Sequence, residues 1–263
     1  MMLASLPMYA SLPMYASLPM YDWPEIRLWT DDLWGRLSER LLEAGFEAPA
    51  SLNRTRKSRA VWRDPSLLFS QTCGYPYAVE LQDHVALLAA PNYDLDGCGP
   101  GTYSCAVVVS AQNDCSDLSA LSGRRFAFNG RGSLSGYRGL SPAVGNVERF
   151  CGELLESGGH RRSMEWVADG RADFALIDAV CWWLFQRAEP DRAARLRVLT
   201  WTQHFPALPF VTHIGRTETD RQLIVKCLTS GVEACSQLEN RFGLPLTGVS
   251  RVTPRQYAAL AAL

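Results

Sequence analysis

The chain alternates uninterrupted apolar runs with segments of helical periodicity, and this pattern constrains the fold more than any other feature. The apolar runs include "SLLFSQ" (66–71), "HVALLAAPNY" (84–93), "SCAVVVSA" (104–111) and "ADFALID" (172–178). Such runs are typical of strands buried on both faces of a sheet. Their alternation with helices predicts an α/β fold whose parallel-rich sheets are flanked by helices.

Caps and periodicity predict where the main helices lie. Asp22 and Glu25 are predicted to form a capping box with Pro24 in the first turn, and Gly45 is predicted to end that helix. Its apolar side chains recur at helical spacing, at Ile26, Trp29, Leu33, Trp34, Leu37 and Leu41. Further helices are predicted over "VERFCGELLES" (147–157), over 217–241, and after a Thr253 cap with Pro254 in the first turn.

Composition and charge exclude several kinds of partner. With 263 residues, 47% of them hydrophobic and 20% charged, the chain has an ordinary globular composition and fills one large or two small domains. A formal net charge of -1 argues against nucleic acid as the main partner. No apolar run approaches the roughly 20 residues that a membrane-spanning helix needs, so no membrane insertion is expected.

The cysteines and histidines do not form a recognisable metal motif. There are eight cysteines without a C-x-x-C pair, and the four histidines are scattered, so neither a metal nor a cofactor is expected. Cys151, Cys181 and Cys227 lie in apolar surroundings typical of buried thiols. Cys73, Cys98 and Cys105 lie in or beside loops, and the sequence leaves open whether two of them form a disulfide.

The amino terminus carries the hexapeptide "ASLPMY" three times, from Ala4 to Tyr21. Six residues with a proline cannot bury a face, so a stable repeat array is excluded. We interpret the third copy, Ala16–Tyr21, as the first strand and residues 1–15 as a duplicated leader that stays disordered. The stretch lacks a basic region and proline interrupts its apolar residues, so it is not a signal peptide. As written, the sequence therefore indicates a cytoplasmic protein, and the alternative is that an export signal is missing from this reading of the gene.

The loop "NGRGSLSGY" (129–137) follows a predicted strand and precedes a possible helix. Glycines that let backbone N–H groups approach a ligand, a helix amino terminus and the hydroxyls of Ser133 and Ser135 are the components of an anion site. A phosphate-binding P-loop would need a lysine, a dinucleotide loop a different glycine spacing, and a nucleophile elbow a serine at Leu134. An ordinary serine-capped helix start is the alternative interpretation.

Two further residues are candidates for the same site. His160 follows two glycines and opens a predicted helix, and Asp178 ends the next predicted strand. Histidine can donate to a phosphoryl oxygen, and Asp178 can accept from a ligand hydroxyl or amine. The basic stretch 54–63 is either a solvated face or a funnel for an anionic ligand.

Three motifs, in this order, resemble one family: "SLSGY" (133–137), "GGHRRSMEWVADGRADFALID" (158–178) and "LTWTQHFPALPFVT" (199–212). They are similar to motifs of the phosphate/phosphonate ABC-transporter substrate-binding proteins, a branch of the type II periplasmic-binding fold. The resemblance extends over roughly residues 16–215. The chain departs from the family at Gly159 in place of a serine, near His204-Phe205, and at Asp178 in place of a longer acidic side chain.

The resemblance implies two lobes joined by two crossover strands, residues 16–108 plus 202–263 and residues 109–201, with a ligand in the cleft between them. Ser133, Ser135 and the N–H groups of Leu134 and Gly136 would bind the oxyanion, with Tyr137 beside them. His160 and Asp178 would flank it. The other lobe would contribute an aromatic and polar wall formed by Gln71, Thr72, Tyr75, Tyr21 and Trp23. The alternative interpretation is that the aromatic side chains of this wall pack in the core.

The function implied is binding, without catalysis, of a small phosphonate or phosphate-like oxyanion by a monomeric, periplasmic component of an ABC-type transporter, with a permease as possible partner. Two alternatives remain open. The first is a cytosolic enzyme on the same fold, of the dehydratase or cofactor-precursor synthase type; a hydrolytic Ser133, His160 and Asp178 triad is disfavoured because no elbow presents the serine. The second is a ligand-sensing domain.

Overall fold

The computed structural model describes residues 14–236 and 243–263. Its strands are β1 (Tyr15–Ser17), β2 (Leu67–Gln71), β3 (Val85–Tyr93), β4 (Cys98–Gly99), β5 (Thr102–Tyr103), β6 (Cys105–Ser110), β7 (Arg125–Phe128), β8 (Glu153–Glu156), β9 (Phe174–Asp178), β10 (Leu196–Trp201), β11 (Phe205–Pro206), β12 (Phe210–His213) and β13 (Leu246–Ser250). Its helices are α1 (Arg27–Glu43), α2 (Ser58–Trp62), α3 (Gly74–Pro76), α4 (Ser141–Val144), α5 (Val147–Phe150), α6 (His160–Ala168), α7 (Ala179–Ala188), α8 (Pro190–Ala193), α9 (Glu218–Ser236) and α10 (Pro254–Ala258).

Two five-stranded sheets organise the described residues. The first has the order β1-β2-β12-β3-β13 and the second the order β10-β6-β9-β7-β8, with a small sheet, β11-β5-β4, beside them. The chain enters the second sheet through β6 and returns to the first after β10. The α/β architecture with crossover strands is the predicted one. The lobe boundaries at 108 and 202 remain a prediction.

Both sheets are mixed, which corrects the expectation of parallel-rich sheets. β1 and β2 are parallel, as β7 is with β8 and β9. β12 is antiparallel to both β2 and β3, and β6 is antiparallel to both β9 and β10. An uninterrupted apolar run indicates burial on both faces but carries no information about strand direction.

The α1 helix shows how the sequence pattern becomes packing. The apolar face predicted for it is buried throughout, and the helix packs against α9. The Trp34 ring stacks on Phe69 with 6.1 Å between centroids, and Phe69 stacks on Phe210 at 5.3 Å. Gly45 ends the helix at a φ of 88°, as predicted.

The predicted capping box of α1 is wrong. A short 3-10 turn, Pro24–Ile26, precedes the helix, and no side chain caps it. The Asp22 carboxylate instead accepts hydrogen bonds from Arg54 Nε at 2.6 Å and Nη2 at 3.0 Å. An ion pair with a guanidinium is a stronger partner for this carboxylate than a backbone N–H.

The helix predicted over 147–157 is also wrong, because α5 ends at Phe150 and β8 follows it. Gly152 lies at this break, where its N–H donates to the Arg124 carbonyl at 3.0 Å. A Cβ atom on Gly152 would overlap the Gly123 carbonyl oxygen. The close approach of two backbones there starts the pairing of β8 with β7 and outweighs the helical spacing of the apolar side chains.

The first strand begins one residue earlier than predicted and ends at Ser17. Tyr15, the last residue of the second hexapeptide copy, pairs with Leu67 of β2. The prediction of a disordered leader falls, for residues 1–13, outside the described residues. The predicted helix over 217–241 is α9 as far as Ser236, beyond which residues 237–242 are not described.

The remaining expectations concern thiols and membrane spans. All eight cysteines are free thiols, so Cys73, Cys98 and Cys105 form no disulfide. Across 14–236 and 243–263, no helix combines the length and the apolar character that crossing a membrane demands. The same residues contain no group of three or more histidine, cysteine or acidic side chains arranged to hold a metal ion.

Candidate functional site

A cavity of about 620 Å³, called the cleft below, opens between the two large sheets. One wall comes from the segment before α1 and from the ends of α2 and β2, and includes Tyr21, Trp23, Trp62 and Cys73. The other comes from the loop after β7, the start of α6 and the end of β9, and includes Asn129, Ser133, Ser135, His160 and Asp178. Strand ends of an α/β sheet meet here, where ligands of such folds bind.

The two serines of the loop after β7 make different contacts, and the Gly136 N–H expected to bind the oxyanion is bound within the loop. The Ser133 hydroxyl accepts the Gly136 N–H at 3.1 Å, so this serine caps a turn. Ser135 instead directs its Oγ to His160 Nε2 at 3.0 Å. A Cβ atom on Gly136 would overlap the Asn129 amide, so only glycine lets Asn129 lie against the loop.

His160 is the first residue of α6 and the centre of a small polar network. Its Nε2 lies 3.0 Å from Ser135 Oγ and 3.3 Å from Asn129 Nδ2. Because an amide nitrogen only donates, this contact assigns Nε2 as the acceptor and Nδ1 as the protonated nitrogen. Burial lowers the pKa of His160 to about 4, and the Leu176 carbonyl acts in the opposite direction. The imidazole is therefore neutral at pH 7.

Asp178 ends β9 and caps α7. One carboxylate oxygen accepts the N–H groups of Val180 at 2.8 Å and Cys181 at 3.4 Å, and the other accepts the Tyr21 hydroxyl at 3.0 Å. Burial raises the pKa of Asp178 to about 6, although these three hydrogen bonds oppose the shift. The carboxyl is thus mostly ionised at neutral pH and joins the two walls through Tyr21.

Asp178 and His160 do not form a catalytic relay. The Asp178 oxygens bind Tyr21 and the start of α7, with no hydrogen bond to His160. Ser135, and not Ser133, contacts the His160 ring. The Ser133, His160 and Asp178 triad weighed from the sequence is therefore not assembled.

Other predicted residues lie behind the cleft. Leu134 and Thr72 are fully buried. The Gln71 amide donates to the Leu208 carbonyl at 3.0 Å. The Tyr137 ring packs on Phe128 with 5.0 Å between centroids, and the Arg138 guanidinium lies over the Tyr75 ring at 5.2 Å.

Two polar side chains in or next to the cleft lining were not predicted from the sequence, namely Asn129 and Tyr103. Asn129 lies in the loop 129–137, where the serines and glycines are the residues typical of an anion site. Tyr103, in "GPGTYSCAVVV", lies next to Ser135 and Cys73, and burial raises its pKa well above the ordinary value. Tyr103 is 2% exposed, so its hydroxyl is shielded from solvent. Its only signal was a tyrosine just before a crossover strand, and the glycines around it indicated nothing more than a turn.

The arginines of the basic stretch 54–63 form ion pairs, and one of them also lines the cleft. Arg54 and Arg56 pair with aspartates away from the network. Arg59 lies at the mouth of the cleft and pairs with Glu80 at 3.0 Å. Among the described residues that line the cleft, Arg59 is the sole arginine or lysine. An anion inside the cleft would thus meet neutral donors, the amino-terminal end of α6 and the Asp178 carboxylate, whose charge is stabilised by hydrogen bonds from Tyr21, Val180 and Cys181.

A family model described as the periplasmic substrate-binding protein of phosphonate ABC transporters matches residues 66–257. The chain belongs to this family. The match covers the loop after β7, His160 and Asp178, which lie together at the cleft. It confirms the resemblance found in the three sequence motifs. No curated protein sequence matches the chain.

Solved structures show that this family member has the type II periplasmic-binding fold. A Xanthomonas citri protein bound to ATP superposes with a TM-score of 0.70 at 16% identity, over 95% of each chain. A Prochlorococcus marinus protein in complex with methylphosphonate gives 0.68 at 16% identity, over 95% of this chain and 96% of that one. The binding component of a Pseudomonas aeruginosa ABC phosphonate transporter gives 0.63 at 13% identity, over 90% of this chain and 82% of that one.

Proposed function

We propose that this protein binds a phosphonate, or a similar small phosphate-like oxyanion, in the cleft and delivers it to an ABC-type permease in the periplasm. Membership of the phosphonate-binding family supports the transport role. The methylphosphonate complex of the Prochlorococcus protein, which shares the fold, supports the ligand class. The cleft itself supplies the groups that such a ligand needs.

The observation that carries the proposal is the neutral polar network at one wall of the cleft. Ser135 and Asn129 both contact His160 Nε2 within 3.3 Å, and the nine-residue helix α6 begins at His160. The N–H groups of a first helical turn have no partner within the helix and favour negative charge. The helix N–H groups and the second amide hydrogen of Asn129 match the oxygens of a phosphonate, and the Ser135 hydroxyl can rotate from His160 to donate to the ligand.

The rest of the cleft accommodates the organic part of the ligand. Its volume of about 620 Å³ is within the range of small-molecule sites. Trp62 and the Tyr21 ring face the polar network from the other wall. Flat aromatic surfaces of this kind pack against an apolar substituent, so the proposal favours an organophosphonate over inorganic phosphate.

A thermal-shift panel tests the proposal with phosphate, phosphite, methylphosphonate, aminoethylphosphonate, sulfate and small carboxylates. A ligand at 100 times its dissociation constant stabilises the fold by about 2.7 kcal/mol, and the midpoint then rises by several degrees. Ser135→Ala and His160→Ala should abolish the shift. The exposed Ser122→Ala serves as the control and should retain it.

If no oxyanion moves the midpoint, the proposal is wrong. Mass spectrometry of the incubated ligand addresses the enzyme alternative in the same experiment. An unchanged ligand supports binding without turnover. A dehydrated or cleaved ligand would replace the transport role with a catalytic one on the same fold.

A further inference from the structure

Arg161 connects the two walls of the cleft. It follows His160 at the start of α6, and its Nη1 donates to Glu25 Oε1 at 2.9 Å. Its guanidinium also lies 5.3 Å from the centroid of the Trp23 ring. Glu25 and Trp23 directly precede α1, which packs on α9 beside the first sheet, whereas α6 packs on the second sheet.

The remaining partners of Arg161 lie on its own side of the cleft. Its Nη2 donates to Glu189, which follows α7, and its Nε lies 3.8 Å from Glu165, one turn along α6. These contacts hold the guanidinium in place even without Glu25. Glu25 is therefore the removable half of the cross-cleft pair, defined here as Arg161 and Glu25.

Partial burial makes this pair more effective than an ordinary surface ion pair. The Arg161 and Glu25 side chains are only 32% and 31% exposed. Charges in such positions are screened by water and salt less than fully exposed ones. The Trp23 ring adds a cation–π contact with the same guanidinium.

We propose that Arg161 is a positioning residue for ligand binding: through Glu25 and Trp23 it holds the segment that carries Tyr21 across the cleft. The Tyr21 hydroxyl, two residues before Trp23, then reaches Asp178 at 3.0 Å. The pair stabilises the arrangement in which both walls face the ligand, and its loss favours a hinge-opened form. The effect on ligand affinity rests on the proposed function, whereas the effect on opening does not.

Opening is measured without ligand by alkylation of Cys73, a half-buried thiol at the cleft. Iodoacetamide modification is followed over time by peptide mass spectrometry, which separates Cys73 from the other thiols. Glu25→Gln should raise the Cys73 alkylation rate about two- to five-fold, the factor that a partly exposed ion pair supplies. Sodium chloride at about 1 M should raise the wild-type rate and leave the variant's rate nearly unchanged.

Asp169→Asn is the matched control, because it removes a partly exposed ion pair with Arg195 that lies on the side of the second sheet and does not involve Arg161. Its alkylation rate should equal that of the wild type. A wild-type rate in Glu25→Gln overturns the positioning role, and so does an equal increase in both variants, which would indicate general loosening. Melting midpoints of both variants confirm that the comparison is between folded proteins.

Once a ligand is identified, Glu25→Gln should raise its dissociation rate by the same factor as the alkylation rate, with a nearly unchanged association rate. An unchanged dissociation rate contradicts the inference while the proposed function stands. Failure of every oxyanion to bind contradicts the proposed function, and the ligand-free alkylation result still decides the role of the pair.

Discussion

At the scale of single residues, Asp178 has an electrostatic cost that depends on pH. Burial raises its pKa to about 6, whereas an aspartate in the unfolded chain titrates near 3.9. Between these two values the folded protein holds more protons than the unfolded one, so stability falls as pH rises from about 4 to 6. At neutral pH the ionised Asp178 carboxylate therefore lowers the free energy of unfolding by about 3 kcal/mol relative to the protonated form.

Asp178→Asn should remove this dependence, because the asparagine Oδ1 can still cap α7 and its Nδ2 can donate to the Tyr21 hydroxyl, without a charge. The free energy of unfolding of the wild type, measured in urea, should decrease relative to that of the variant as pH rises from 4 to about 6.5. Contributions from other groups cancel in the difference. A difference that stays constant over this range would contradict the assigned pKa.

Gly136 leaves the space in which the Asn129 amide lies beside His160. In Gly136→Ala the new methyl group overlaps Asn129, so the amide must leave His160. We expect the ligand affinity to fall about ten-fold or more and the stability to fall by about 1–3 kcal/mol. Gly35→Ala, in the interior of α1 where a Cβ meets no atom within 4 Å, should instead stabilise by about 0.5–1 kcal/mol. Calorimetric titration and urea unfolding measure both, and equal effects of the two substitutions would contradict this interpretation.

At the scale of elements, the break between α5 and β8 depends on one close backbone approach. Gly152→Ala places a methyl group against the Gly123 carbonyl oxygen, and neither backbone can move without disturbing the pairing of β8 with β7. The expected loss is about 2 kcal/mol or more, visible as a lower urea midpoint. Hydrogen exchange of the β8 amides should increase at the same time, and unaltered exchange there would argue against this role of Gly152.

Local sequence patterns predict burial but not contacts between distant residues. Apolar runs identified the buried strands β2, β3, β6 and β9, and periodicity identified the buried face of α1. The end of α5 could not be predicted, because it depends on a contact between residues 152 and 123. The ion pair of Asp22 could not be predicted either, because its partner Arg54 lies 32 residues away.

At the scale of the whole molecule, the sequence identified residues that line one cleft but did not define their contacts. Ser135, His160 and Asp178 do line the same cavity. Their partners, Asn129 and Tyr21, follow from how the two sheets approach each other. The role of Arg161 could not be predicted from the sequence, because only the folded chain places Glu25 beside it.

Because of where β1 lies in the repeated amino terminus, the sequence of this strand does not depend on the number of hexapeptide copies. The strand spans a junction between two copies, with Tyr15 from one and Ala16-Ser17 from the next. The earlier junction has the same tripeptide, Tyr9-Ala10-Ser11. Loss or gain of one eighteen-base unit in the coding sequence would therefore preserve the residues of the strand and all residues after it, so replication slippage can change the number of copies without changing the sequence of β1.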